Sequence, residues 1–158
     1  MNRFKHNKVA QLLFDFCYKG AMFLNKHKAL YYILMFTWGL LTSVIGLLVT
    51  FVLSVCADKK LIKYDKVWYF KVAKNWGGVS LGCMFIRDTT SIDTIQPHED
   101  GHTYQNALLG PLFIFLVAIP STIRYWIQRI RIKQGKRNKP YDSIWFEDNA
   151  TAIGQDIM

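Results

Sequence analysis

The sequence predicts an α+β membrane protein, and three observations carry that expectation. Residues 29–57 run for 29 positions without a formal charge. Residues 67–87 are rich in β-favouring types divided by turn residues. A later apolar stretch, residues 107–120, is broken by Gly110-Pro111 and Ile119-Pro120. Of the 158 residues 51% are hydrophobic, which excludes a disordered or collagen-like chain. The net charge of +9 suits nucleic acid or an anionic membrane surface, and the placement of the apolar residues decides between them. Cys17, Cys56 and Cys83 are too few and too scattered for a disulfide framework or a thiolate zinc site.

Residues 1–28 carry six Lys or Arg and one Asp, a basic tail that the positive-inside rule places in the cytoplasm. Within it Val9, Leu12, Leu13, Phe16, Ala21 and Phe23 recur at roughly helical intervals. That spacing fits an interfacial helix on the membrane and equally a helix packed on the rest of the chain. Residues 29–57 are long enough to cross a hydrocarbon core at about 1.5 Å per residue, so they are predicted as one transmembrane helix. Tyr31, Tyr32 and Trp38 suit its interfacial belt. The run starts too late and is too long for a cleaved signal peptide.

Runs 67–72 and 79–86 flank Asn75-Trp76-Gly77-Gly78 and read as a β-hairpin. Pro97 then opens a helix through Leu109, since proline is favoured at a first helical position. The run 107–120 has an uninterrupted apolar length nearer 13 than 20, which predicts a Pro-broken re-entrant or core helix. Residues 124–139 hold seven Lys or Arg and no acid, interleaved with Tyr125, Trp126, Ile127, Ile130 and Ile132. This basic amphipathic segment suits an anionic lipid surface and argues against nucleic acid as a partner. A C-terminal helix is expected around residues 145–154.

His98-Glu99-Asp100-Gly101-His102 fits H-E-x-x-H in a chain with only four histidines and two glutamates. The chance of such a match within this composition is roughly 0.1%. On a helix, positions i and i+4 share a face, so His98 and His102 can hold one Zn²⁺ while Glu99 approaches the metal-bound water as general base. A catalytic zinc usually takes three protein ligands, and no histidine follows His102. The remaining glutamate, Glu147, is the leading third ligand, with Asp142, Asp148 and Asp93 competing.

H-E-x-x-H with a downstream E-x-x-A resembles the membrane-embedded gluzincins, the class that includes CaaX-type prenyl-protein proteases and heat-shock membrane proteases. A closer likeness is to small, largely uncharacterised bacterial membrane proteins. It rests on Asn75-Trp76-Gly77-Gly78-Val79-Ser80-Leu81-Gly82, His98-Glu99-x-Gly101-His102-x-x-Gln105, Leu109-Gly110-Pro111, Ile119-Pro120-Ser121 and Trp145-Phe146-Glu147-x-x-Ala150. These motifs cover residues 75–154, about half the chain. The resemblance implies zinc held by His98, His102 and Glu147, Glu99 as base and proton shuttle, and a bacterial inner-membrane location. Asp100 stands where the small family commonly has an aromatic. Thr151 stands where gluzincins often have an Asp that orients a histidine, and Asp148 has a different spacing. Site-2 proteases take an Asp from a later membrane helix, but the second apolar run has none.

The expected organisation is therefore a basic tail (1–28), a transmembrane helix (29–57) and a zincin-like domain (58–158) with a membrane-embedded segment (107–132). If residues 108–127 spanned the bilayer, Glu147 would be left across the membrane from His98, and the charged residues 128–147 could not recross. Hairpin, zinc helix and C-terminal helix are thus expected on one side. The expected function is an integral-membrane zinc metallopeptidase cutting a peptide or membrane-protein substrate. Tyr104, Tyr141 and Arg124 are candidate oxyanion donors. Val79, Leu81, Cys83 and Phe85 form a strand that either takes up an extended substrate by its edge or only covers the helix. The alternative is a non-catalytic membrane protein that uses the same zinc ligands structurally or scaffolds a partner.

Overall fold

The computed structural model describes residues 7–57, 59–90, 95–137, 140 and 142–157. Helix α1 (Lys8–Lys26) is opened by Asn7, whose side chain accepts from the Ala10 amide at 3.0 Å. Its buried stripe of Ala10, Phe14, Cys17, Ala21 and Leu24 follows helical spacing. That stripe packs on the helices that follow residues 95 and 145, so the tail helix is packed on the rest of the chain. Its opposite face leaves Val9, Leu12, Phe16 and Phe23 exposed.

The expected transmembrane helix is not one helix. Residues 29–57 form α2 (Lys28–Phe36) and α3 (Leu40–Phe51), the latter prolonged by a π-helical turn over Val52–Cys56. The two axes bend by 87° at the break, and among the described residues no single helix is long and apolar enough to cross a membrane. Tertiary contacts made by neighbours of the corner explain it. The Tyr31 hydroxyl hydrogen-bonds Thr103, Ser43 donates to the Met35 carbonyl, and Thr42 donates to the Asn106 side chain. The first and third fix the two arms against the helix at residues 95–109, the second ties the arms to each other, and Gly39 is so close to Asn106 that a Cβ would lie 2.6 Å from its amide nitrogen.

The sheet also departs from expectation. Four strands, β1 (Ile62–Tyr64), β2 (Val67–Lys71), β3 (Gly78–Leu81) and β4 (Met84–Arg87), lie in the order β1-β2-β4-β3. β2 and β4 are parallel and the other pairs antiparallel. The two hairpins are β1–β2 and β3–β4, each closed by a two-residue loop. Gly82 takes a φ of +63° at the first loop position of the second. Asn75-Trp76-Gly77-Gly78 is a crossover instead of a hairpin turn. Asp88 Oδ2 accepts from the Trp76 and Gly77 amides, and this carries the chain past the place of β4 to the sheet edge. The expected strand 79–86 is therefore folded in two. Cys83 lies in the turn and Phe85 on β4, both buried, with the Phe85 ring stacked on Tyr69 at 4.9 Å.

Helix α4 (Ile95–Leu109) contains the expected zinc motif, and its polar residues Glu99, Asp100, His102, Thr103, Gln105 and Asn106 are buried. Gly110, at a φ of +55°, ends it against the Trp38 indole. A π-helical turn (Ile114–Ala118) then runs into α5 (Ile119–Lys133), where Pro120 falls in the first turn and is tolerated. α5 contains no buried residue. The Pro-broken segment is thus two short helical pieces, neither of which meets the length and hydropathy of a span. Helix α6 (Trp145–Ile157) packs on α4 and α1 and closes the fold.

Candidate metal centre

The site exists because α4 and α6 touch backbone to backbone. A Cβ on Gly101 would lie 2.1 Å from the Ala150 carbonyl oxygen, and one on Gly154 would lie 1.9 Å from that of Pro97. Only glycine permits such an approach. It sets Glu147, in the first turn of α6, opposite His98 and His102 on α4. The imidazole centroids of His98 and His102 are 4.7 Å apart. Glu147 Oε2 is 3.1 Å from His98 Nε2 and 3.3 Å from His102 Nε2. One ligand atom from each residue falls within 4.8 Å of the others, so His98, His102 and Glu147 form a group that could hold a metal ion.

Two observations fit such an ion. Glu147 is fully buried, yet its Oε1 has no hydrogen-bond partner, a costly condition for a carboxylate. The second is the direction of the hydrogen bonds behind His102. Asn149 Nδ2 donates to the Phe14 carbonyl at 3.0 Å, which turns its Oδ1 toward Gln105. Gln105 Nε2 donates to that Oδ1 and to the Phe146 carbonyl, both at 2.8 Å, which leaves Gln105 Oε1 facing His102 Nδ1 at 2.7 Å. Backbone carbonyls cannot donate, so each amide has one orientation. His102 therefore carries a proton on Nδ1, and Nε2, which faces Glu147, is the ring nitrogen that could meet a metal ion. His98 Nδ1 is 2.9 Å from the Thr151 hydroxyl.

The electrostatics favour a cation among these three side chains. Burial would lower the His102 pKa, but the hydrogen bond and charge of Glu147 outweigh it and push it up to about 9. Burial likewise opposes ionised Glu147, yet hydrogen bonds with His102 and His98 hold its carboxyl well below the usual carboxylate range. Both shifts have one cause, the pairing of a protonated imidazole with the Glu147 carboxylate.

Glu99 leaves α4 on the side facing the sheet. Ser80 Oγ on β3 donates to it, 2.8 Å from Oε2 and 2.6 Å from the Glu99 carbonyl. Gly78 gives the side chain room, for a Cβ there would lie 2.5 Å from Oε1. Burial raises the Glu99 pKa, while the charges of His98 and His102 work against that rise. His98, Glu99 and His102 line one cleft of about 1220 Å³, walled by edge strand β3 and by the π-helical turn before α5.

The other sequence candidates are distributed as follows. Val79 and Leu81 line the cleft on β3, whereas Cys83 and Phe85 face the core. Tyr104 points away from the cleft into the core, where its ring packs on Tyr31 and its hydroxyl donates to Asn25. Arg124 donates to the Pro140 carbonyl and Ser143 Oγ. Asp148 is half-buried on α6 outside the His–Glu group, and Asp142 lies exposed at the cleft. Tyr141 and Asp93 lie outside the described residues. The structure adds Ser80, Gln105, Asn149 and Thr151. Of these Gln105 had a local signal, three residues beyond His102 and so on its helix face, and Thr151 stood where gluzincins often have the Asp that orients a histidine. No protein-family model, no curated protein and no solved structure matches this chain.

Proposed function

We propose that the chain is a zinc-dependent hydrolase of the gluzincin type that cleaves a peptide bond in this cleft. The observation that carries the reading is the convergence of His98, His102 and Glu147, beside a cleft that both histidines and Glu99 line. Two imidazoles and one carboxylate are a donor set suited to zinc with an open coordination position. When bound, zinc supplies Lewis acidity toward water and toward a scissile carbonyl. The residues of the chain do the rest. Glu99, a buried carboxyl at the cleft wall, accepts and returns a proton, and Ser80 Oγ holds its Oε2 in place. β3 stands at the sheet edge, so its main chain offers an extended peptide unpaired backbone groups along the cleft. Elemental analysis of the purified protein tests the metal. One zinc per chain is expected, lost in His98→Ala, and a wild-type protein without stoichiometric metal removes the reading.

A second observation concerns where the enzyme works. α3 is inverted for a helix in water: its inner face is Thr42, Ser43 and Gly46, and its outer face is large and apolar. α5 adds exposed Ile123, Trp126, Ile127 and Ile130, between Arg124, Arg129, Arg131 and Lys133, with no acid. An apolar surface of this extent beside cations fits an anionic lipid surface, entered from one face without being crossed. The protein should co-float with vesicles containing phosphatidylglycerol and much less with neutral ones. Ile123→Glu with Ile130→Glu should release it. Failure to bind either vesicle type refutes this partner.

A further inference from the structure

We infer that Gln105 and Asn149 are positioning residues that set the proton of His102 and thereby the affinity of the site for its metal, an inference that rests on the metal reading above. The chain of donors runs one way, from His102 Nδ1–H to Gln105 Oε1, from Gln105 Nε2 to Asn149 Oδ1, and from Asn149 Nδ2 to the Phe14 carbonyl. Both amides are fully buried. A second anchor, the Phe146 carbonyl, accepts from Gln105 Nε2 one residue before the ligand Glu147. The amides cannot flip without facing a carbonyl with a carbonyl. His102 Nε2 is thus left as the ring nitrogen that can give its electron pair to a metal, and α1 supports the site through the Phe14 carbonyl.

The outer partners of metal-ligating histidines change metal affinity by about 10- to 100-fold, and here neutral amides fill that role for His102. Hydroxyl-bearing Thr151 does so for His98. Gln105→Leu keeps the size and removes the acceptor, so zinc affinity, read by competition with a chromogenic chelator, should fall about 10- to 100-fold. Gln105→Glu keeps an acceptor toward Nδ1–H and should recover most of that loss, even if its melting temperature falls with the lost donors. Asn149→Ala, which frees the Gln105 amide, should give an intermediate loss. In zinc-loaded wild type, a slowly exchanging imidazole Nδ1–H is expected in long-range ¹H–¹⁵N spectra, and it should exchange rapidly in Gln105→Leu. If Gln105→Leu fails to fold, Asn149→Ala and Gln105→Glu carry the comparison. Wild-type affinity in a folded Gln105→Leu or Asn149→Ala overturns the relay alone, as does a folded Gln105→Glu no better than Gln105→Leu. A wild-type chain that binds neither zinc nor cobalt overturns the metal reading and the relay together.

Discussion

Glu99→Gln is expected to abolish peptide hydrolysis while leaving zinc in place. The substitution changes one oxygen for an amide nitrogen, and Glu99 is not among the converging ligand atoms of His98, His102 and Glu147. Ser80 Oγ still has an acceptor in the Glu99 backbone carbonyl, so the local fold should survive. What disappears is the capacity to take a proton, and general-base catalysis is worth about 10²- to 10⁴-fold. A quenched fluorescent peptide library, run beside elemental analysis of the same preparation, measures both quantities at once. Turnover surviving in Glu99→Gln would refute the base assignment. A wild type that binds zinc, hydrolyses nothing and is indifferent to Glu99→Gln would instead support a metal-stabilised interaction protein.

Gly154→Ala should be the most damaging substitution outside the His98–His102–Glu147 group. The added Cβ would stand 1.9 Å from the Pro97 carbonyl oxygen, which belongs to helix backbone and has no flexible side chain to move aside. Gly101→Ala meets the Ala150 carbonyl at 2.1 Å. Overpacking of yielding cores costs about 1 to 3 kcal/mol, and here two helices must separate, so each variant should lose about 3 kcal/mol or more. In a chain of this size that corresponds to a melting temperature lower by roughly 6 to 12 °C. Zinc affinity should fall with it, because Glu147 moves away from both histidines. A Gly154→Ala protein that melts within 2 °C of wild type and binds zinc normally would mean that the α4–α6 crossing is looser than described.

The readings that rest on local geometry and those that rest on distant neighbours fared differently. The helix beginning near Pro97 could be read from one residue preference, and the shared face of His98 and His102 from the 3.6-residue repeat. Glu147 stood out because the composition left no other glutamate, and the structure puts it against both histidines. The uncharged run 29–57 was misleading because hydropathy counts residues along the chain and is blind to a corner. The 87° bend at residues 37–39 is held by Thr103 and Asn106, more than 60 positions away. The hairpin was misplaced because Asn75-Trp76-Gly77-Gly78 has turn-forming residues, whereas the use made of that turn depends on Asp88. Tyr104 was two residues from His102 in sequence, and helical rotation sent it to the opposite face, into the core.

The sequence by itself determined the donor types and the helix that displays two of them, since i and i+4 neighbours are fixed by backbone geometry wherever the helix lies. The tertiary structure alone decided that Glu147 faces them, that Ser80 holds Glu99 at the cleft wall, and that His102 carries a proton on Nδ1. The physical reason is range. Helix periodicity is set by bonds within a few residues. The approach of α6 depends on glycines in two helices, and the direction of the amide relay depends on a carbonyl of Phe14, 88 positions before His102.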